Sequence, residues 1–260
     1  MGQLDNRIVI VTGAAQGLGE AMAQSMFAEG AVVAGCDVKA EQGRALFAEL
    51  DAAGDRSLFS AVDIRDNAAV RGFVDTVAQR FGRVDVLVNN AAILPPAGVS
   101  LPDMAEGDWQ RVLDVNVGGA FRFCAAVLPH MVRQGGGAVI SLSSVHRTHS
   151  LPGFTPYAAS KGAISSMSQQ LAAEYGKHNI RFNTISPGAI ATAMTQSILD
   201  GDPSGALTES FRHMHLLERI GRPSEVAATA VFLASEGAGF ITGEDILVDG
   251  GLTRATRVEI

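Results

Sequence analysis

The sequence predicts an α/β fold built as a doubly wound parallel sheet. Three observations predict it. Short runs rich in β-branched residues alternate with longer stretches of helical spacing; the short runs are apolar almost throughout; and no linker, charge block or shift in composition divides the 260 residues. Near-continuous apolar strands are buried on both faces, and parallel neighbours need crossover connections, so helices must cover both sides of the sheet. A single domain over 1–260 follows.

Strands are expected at 8–11, 31–36, 58–62, 84–88, 138–142 and 180–185, with a last run at 245–248. Helical spacing marks 18–29, 41–53, 68–81, 120–132, 157–175 and 224–234. In this class of sheet, ligands sit beyond the carboxyl ends of the strands, so the residues that follow each strand should carry the function.

Composition excludes several roles. The net charge is −7 with 20 Lys and Arg and no basic cluster, which argues against nucleic acid or anionic lipid as a partner. The polar segment 1–7 leads straight into a short apolar run, with no signal-type h-region and no continuous apolar stretch of membrane-spanning length, so the expected location is cytoplasmic. The two cysteines, Cys36 and Cys124, read as reduced core thiols. His146, His149, His213 and His215 show no ligand spacing; they read as solvated or substrate-loop residues, and no metal is expected.

The first strand runs into Thr-Gly-Ala-Ala-Gln-Gly-Leu-Gly at 12–19, immediately before a helix. Glycines at 13, 17 and 19 let backbone approach a pyrophosphate, and a helix N-terminus offers free N–H groups and a positive dipole end. Gln16 and Leu18 share that turn and are expected to face the same ligand. Asp37 ends the second strand at the distance where a carboxylate meets ribose hydroxyls. Its charge opposes a 2′-phosphate, which Lys39 offsets only in part, so NAD is favoured over NADP.

Asp63-Ile64 after the third strand can border an adenine, or Asp63 can cap the next helix. Asn89-Asn90-Ala91-Ala92 follows the fourth strand: small residues where backbone runs close to a ligand, beside amides that can equally satisfy local backbone. After the fifth strand come Ser143-Ser144 and then Tyr157-Ala158-Ala159-Ser160-Lys161. Residues four apart share a helix face, which brings the Lys161 ammonium toward the Tyr157 phenol. An ordinary phenol titrates near ~10, and each unit of downward shift needs roughly 1.4 kcal/mol. Lys161 and a positively charged nicotinamide are expected to provide several units.

The glycine turn, the paired asparagines, the serine pair, the Tyr-x-x-x-Lys helix, Pro187-Gly188 and the 242–251 segment together resemble the short-chain dehydrogenase/reductase family over essentially the whole chain. The resemblance implies a Rossmann-like domain in which Tyr157 is the general acid/base and Lys161 lowers its pKa and holds the nicotinamide ribose. It also implies that Ser144, with Ser143 as rival, orients the substrate oxygen and that Asn116 supports a relay water. Pro187, Ile190 and Thr192 are implied at the carboxamide, and Asn90 and Ala91 along the cofactor. Helices 118–132 and 157–175 are implied in a dimer interface, with the C-terminal region completing a homotetramer. One departure is visible: Ala92 stands where the family commonly has glycine.

Substrate identity is expected in the loops 93–101, 145–156 and 193–217. The Ser143-Ser144-Val145-His146 stretch with the Tyr157 helix is similar to that of bacterial glucose dehydrogenases, which implies a sugar, polyol or other small polyhydroxy compound held by Ser144, His146 and Tyr157. Arg147, His149 and Ser150 are further polar candidates. Leu94, Leu151, Phe154, Met194 and Met214 instead suit a hydrophobic ketone, acyl or steroid-like alcohol. A non-catalytic dinucleotide-binding module is the third reading, because fold alone does not establish catalysis.

Overall fold

The computed structural model describes residues 2–254; residue 1 and residues 255–260 of the expected 1–260 domain lie outside the described residues. Seven strands form one sheet: β1 (Ile8–Thr12), β2 (Val32–Asp37), β3 (Ser57–Ala61), β4 (Val86–Asn89), β5 (Gly137–Leu142), β6 (Ile180–Pro187) and β7 (Asp245–Val248). All pairings are parallel in the order β3-β2-β1-β4-β5-β6-β7. The chain winds outward from β1 to β3, then returns to pair β4 with β1, Val9 opposite Val86. That reversal opens a crevice beyond the strand ends.

The apolar strands feed two cores at once. Successive side chains point to opposite faces, so Val9 and Val11 of β1 join Met22, Met26 and Val226 on one side, while Ile8 and Ile10 join Phe73, Phe123 and Phe182 on the other. The first side is covered by α1 (Gly17–Ala28), α2 (Ala40–Leu50) and, later in the chain, the helix Pro223–Ala234. The second is covered by α3 (Asn67–Phe81) and the helices Gly119–Gln134 and Thr155–Tyr175.

The expected elements are all present, with ends shifted by a few residues. The largest difference is α2, which stops at Leu50 rather than 53, where Asp51 leads into a turn with Gly54 at φ +71°. Among the described residues, four helical segments besides the short 3₁₀ turns lie outside the sequence expectation. They are α4 (Glu106–Leu113); a π-type turn over Asp114–Gly118, which runs on into α5 (Gly119–Gln134); and α7 (Ala193–Leu199) and α8 (Ala206–His213), which fold up most of the expected 193–217 loop. Each of α4 and α8 is only eight residues long and fully buries one side chain, Val112 and Phe211 respectively, so each is amphipathic but too short for its periodicity to stand out. The 145–156 loop begins with a 3₁₀ turn, Val145–Arg147, and ends where α6 (Thr155–Tyr175) starts; α9 is Pro223–Ala234.

The continuous helical run Glu106–Gln134 is long and apolar enough to cross a bilayer, which the sequence alone did not suggest. Half of its apolar window is buried against the rest of the protein, as in a core helix.

Candidate active site

The site lies where the strand order reverses. Beyond β1, Gly13 and Gly17 adopt φ of +64° and +60°, and a Cβ at Gly13 would lie 2.9 Å from the Ala91 Cα. L side chains disfavour that conformation and no space exists for one, which is why glycine occupies the turn. The Gln16 side chain does not cap α1, leaving the first N–H groups of the helix available to an anion. Gly19 does not line the cleft itself. A Cβ there would sit 2.0 Å from the Gly13 carbonyl oxygen, so its role is to let α1 press against the turn.

Across the reversal, the Asn90 amide donates to the carbonyls of Thr12 (2.9 Å) and Gly13 (3.1 Å). The Thr12 hydroxyl accepts from the backbone N–H groups of Asn90 (3.0 Å) and Ala91 (3.1 Å). Asn90 therefore satisfies local backbone and lines the cleft at once, while Asn89 is buried and donates to Ser141 Oγ (3.3 Å). Ala92 has no positive φ, so its methyl imposes no conformational cost relative to glycine.

The cleft has a volume of ≈400 Å³ and is walled at one end by Gln16, Leu18, Asp37, Asp63 and Ile64. Asp37 accepts from the backbone N–H of Ala15 (3.1 Å) and of Lys39 (3.0 Å), which aims its carboxylate at the glycine turn. The Lys39 ammonium donates to Gln16 Oε1 at 2.5 Å. Asp63 pairs with Arg65 at 2.6 Å, and that hydrogen-bonded guanidinium holds its carboxyl below the usual range. The helix cap is Asp66, which accepts from Ala68 N (2.8 Å) and Ala69 N (3.1 Å), so Asp63 is a wall residue and not the cap.

At the other end Ser144, Tyr157 and Lys161 meet; Pro187, Ile190 and Thr192 also line the cleft, with Thr192 set against the glycine turn, 3.6 Å from where a Cβ on Gly17 would stand. The serine rivalry resolves through partners. Buried Ser143 donates to the Lys161 carbonyl (3.0 Å) and bonds Ser165 Oγ (2.8 Å), which fixes α6 to β5, whereas Ser144 accepts only from His146 N at 3.2 Å and acts on the Tyr157 phenol by favouring its ionised form. Lys161 is 3% exposed; its ammonium donates to the Leu142 carbonyl at 2.6 Å and stands 5.3 Å from the Tyr157 ring centroid.

Asn116, in the π-type turn, is 1% exposed. Its Oδ1 accepts from Ile93 N (2.8 Å), and its Nδ2 donates to the Ile93 carbonyl (3.1 Å) and to Ser160 Oγ (3.0 Å). Ser160 in turn donates to the Tyr157 carbonyl at 2.7 Å. Both amide protons are used, so the Asn116 side chain braces Tyr157 and the start of the 93–101 loop, and what it keeps for a relay water is the second lone pair of Oδ1.

The electrostatics of the protein alone run against the expected lowering of the phenol. Desolvation pushes Tyr157 up to about 12, opposed only by Ser144, and pulls Lys161 down to about 7. Burial of the two groups thus works against a phenolate–ammonium pair in the protein alone.

The substrate loops separate the polar candidates. Arg147 is committed to Asp245 (2.7 Å), Ser150 donates to the His146 carbonyl (2.8 Å), and exposed His149 pairs with Thr148 (3.1 Å). His146 lies edge-on to Tyr157 at 5.6 Å and against Phe154 at 5.0 Å, and its buried Nδ1 has no partner, but the side chain stands behind Tyr157 and does not itself line the cleft. Of the apolar candidates, Met194 lines the cleft, while Leu94, Leu151, Phe154 and Met214 do not. His213 is 3.4 Å from Glu209, but His215 corrects the expectation of a solvated or loop residue: it is 2% exposed. Among the described residues no His/Cys/Asp/Glu group could hold a metal. Val38, Arg111 and Val115 also line the cleft. Val38 stands next to Asp37 and was findable by adjacency; Arg111 belongs to the undetected α4.

A family profile described as enoyl-(acyl carrier protein) reductase matches residues 13–253. D-threitol dehydrogenase of Mycolicibacterium smegmatis is 39% identical, with 96% of this chain and 94% of that protein covered. The 3-oxoacyl-(acyl-carrier-protein) reductase of Thermotoga maritima is 36% identical, with 96% and 99% covered. The ligand-free structure of Thermoplasma acidophilum aldohexose dehydrogenase superposes with a TM-score of 0.88 at 29% identity, over 100% of this chain and 98% of that one. The chain belongs to the short-chain dehydrogenase/reductase family, oxidoreductases that act on alcohols and ketones with a nicotinamide cofactor.

Burial of Lys161 makes a prediction about pH. Its folded-state pKa, about 7, lies below the unfolded value of 10.5, so between the two the unfolded chain binds more protons and stability rises with pH. Below pH 7 the cost of charging it is complete. Urea unfolding of the cofactor-free protein from pH 7 to 10 should therefore show wild type gaining on Lys161→Met by a few kcal/mol (order of magnitude). Parallel pH profiles for the two proteins would contradict this.

Proposed function

We propose that the protein is an NAD(H)-dependent dehydrogenase/reductase for a secondary alcohol of the sugar or polyol class, with Tyr157 as acid/base. The observation that carries the reaction is the convergence of Ser144, Tyr157 and Lys161 at one end of a cleft whose other end is a glycine turn facing a carboxylate. The cradle fits a dinucleotide: Gly13 has no room for a side chain, the α1 N-terminus is not capped by its N-cap side chain, and Asp37 can accept from ribose hydroxyls. Gly13, Gln16, Gly17, Leu18, Asp37, Asp63 and Ile64 would hold the adenosine and pyrophosphate, and Asn90, Ala91, Pro187, Ile190 and Thr192 the remainder.

When bound, the nicotinamide supplies the hydride acceptor or donor. In the oxidative direction the Tyr157 oxygen takes the hydroxyl proton while Ser144 Oγ hydrogen-bonds the substrate oxygen; in reduction the phenol gives the proton back. Lys161, near neutrality and beside the phenol, can hold or release a proton at Nζ as Tyr157 changes state. Asn116 keeps Tyr157 in register through Ser160.

Polyol specificity draws on His146. Its unpaired Nδ1 beside Tyr157 is an acceptor that a second substrate hydroxyl would satisfy once the ring shifts to expose it, and burial keeps the imidazole neutral by lowering its pKa. The threitol and aldohexose enzymes among its relatives support the same class. The second reading, a hydrophobic ketone or acyl substrate, draws on Met194, Ile93 and Leu142 in the cleft wall and on the acyl-reductase relative. NAD preference rests on Asp37.

A homotetramer in the cytoplasm belongs to the same proposal. On α6 the small residues Ala159 and Ala163 face outward rather than toward the sheet, and Phe121 on α5 is 59% exposed, as a helix-on-helix interface requires. The thiols of Cys36 and Cys124 are free and buried, in keeping with a reducing compartment.

Tyr157→Phe should lower kcat by roughly 10²–10⁴-fold in steady-state assays while cofactor binding persists. Turnover at the wild-type rate would remove Tyr157 from the mechanism. With NAD and NADP compared, Asp37→Ser should narrow the preference for NAD by roughly tenfold or more. Across polyols and cyclic ketones, His146→Phe should raise KM for polyols by about tenfold and leave apolar ketones nearly unchanged; the opposite pattern favours the hydrophobic reading.

A further inference from the structure

We infer that His215 is a positioning residue for the nicotinamide half of the cofactor, acting through the backbone at Ala189–Ile190. The inference rests on the cofactor reading above. His215 closes the helical flap formed by α7 and α8, among exposed neighbours Arg212, His213, Leu216 and Leu217, yet it is itself 2% exposed. A buried imidazole is tolerated when both ring nitrogens are paired, and here both are. Nδ1 lies 2.6 Å from the Phe211 carbonyl, which can only accept, so Nδ1 carries the proton. Nε2 accepts from the backbone N–H of Ala189 at 3.1 Å, so it carries none. One neutral tautomer satisfies both bonds.

The two bonds reach different parts of the molecule. Phe211 belongs to α8 in the flap; Ala189 follows β6 and adjoins Ile190, which lines the cleft and which the cofactor reading above assigns to the part beyond the adenosine and pyrophosphate. The ring fits because two glycines give way to it: a Cβ at Gly188 would stand 2.7 Å from Nε2, and one at Gly250 would stand 3.3 Å from the His215 Cβ. The opposite side of the same segment is held by Gly221, which donates to the Ala189 carbonyl (2.9 Å) and accepts from Ala191 N (2.9 Å). Ala189–Ala191 is thus gripped between the neck of the flap and His215. An apolar side chain would fill the space and leave the Ala189 N–H and the Phe211 carbonyl without these partners.

The test uses isothermal titration of the full chain with NADH or NADPH, whichever it binds, and with ADP-ribose or its 2′-phosphate, which shares the adenosine and pyrophosphate but lacks the nicotinamide. His215→Phe should weaken the complete cofactor by roughly tenfold and leave the ADP-ribose analogue within about twofold, with KM for the alcohol rising more than kcat falls. His215→Gln, whose Oε1 can accept from Ala189 N, should recover most of the loss. If the Phe variant does not fold, His215→Asn, which keeps a donor only for Phe211, takes its place. Equal weakening of both ligands, no weakening of either, or a Gln variant as poor as Phe would overturn the inference. A wild-type protein that binds neither dinucleotide would overturn the cofactor reading itself.

Discussion

The structure depends on the bonds that cross the point where strand order reverses. Thr12 at the end of β1 and Asn90 just beyond β4 exchange side-chain and backbone hydrogen bonds of 2.9–3.1 Å. They hold the Gly13 turn against Ala91, so the crevice that a reversed parallel sheet creates becomes a surface of fixed shape. Gly19 completes it by letting α1 approach the Gly13 carbonyl. A polar cluster spends its donors on backbone here, and the backbone is what faces the ligand.

The opposite end of the cleft is built on a different constraint, the burial of a cation. Lys161 is enclosed with one acceptor, the Leu142 carbonyl, and the enclosure lowers its pKa toward neutrality while raising that of Tyr157. The cofactor-free protein therefore holds Tyr157 as the neutral phenol and makes the Lys161 proton easier to lose. A positive charge delivered nearby would favour the phenolate and disfavour the ammonium, which couples occupancy of the cleft to the protonation of the pair. The surrounding bonds, Ser143 to α6 and Asn116 through Ser160 to Tyr157, keep these side chains in place without touching the reacting atoms.

The sequence by itself determined the sheet, because full burial on two faces leaves an apolar run that periodicity detects, and it determined the glycine turn, Asp37 and the Tyr157–Lys161 spacing, because those depend on local conformation. It missed α4 and α8, which are amphipathic but only eight residues long, too short for helical periodicity to show. The tertiary structure alone decided that Asp66 rather than Asp63 caps α3, that Arg147 is bound to Asp245, and that His215 is buried. Each of these is a choice between partners distant in the chain. A side chain's partner is set by the packing of whole elements, and no local pattern encodes it.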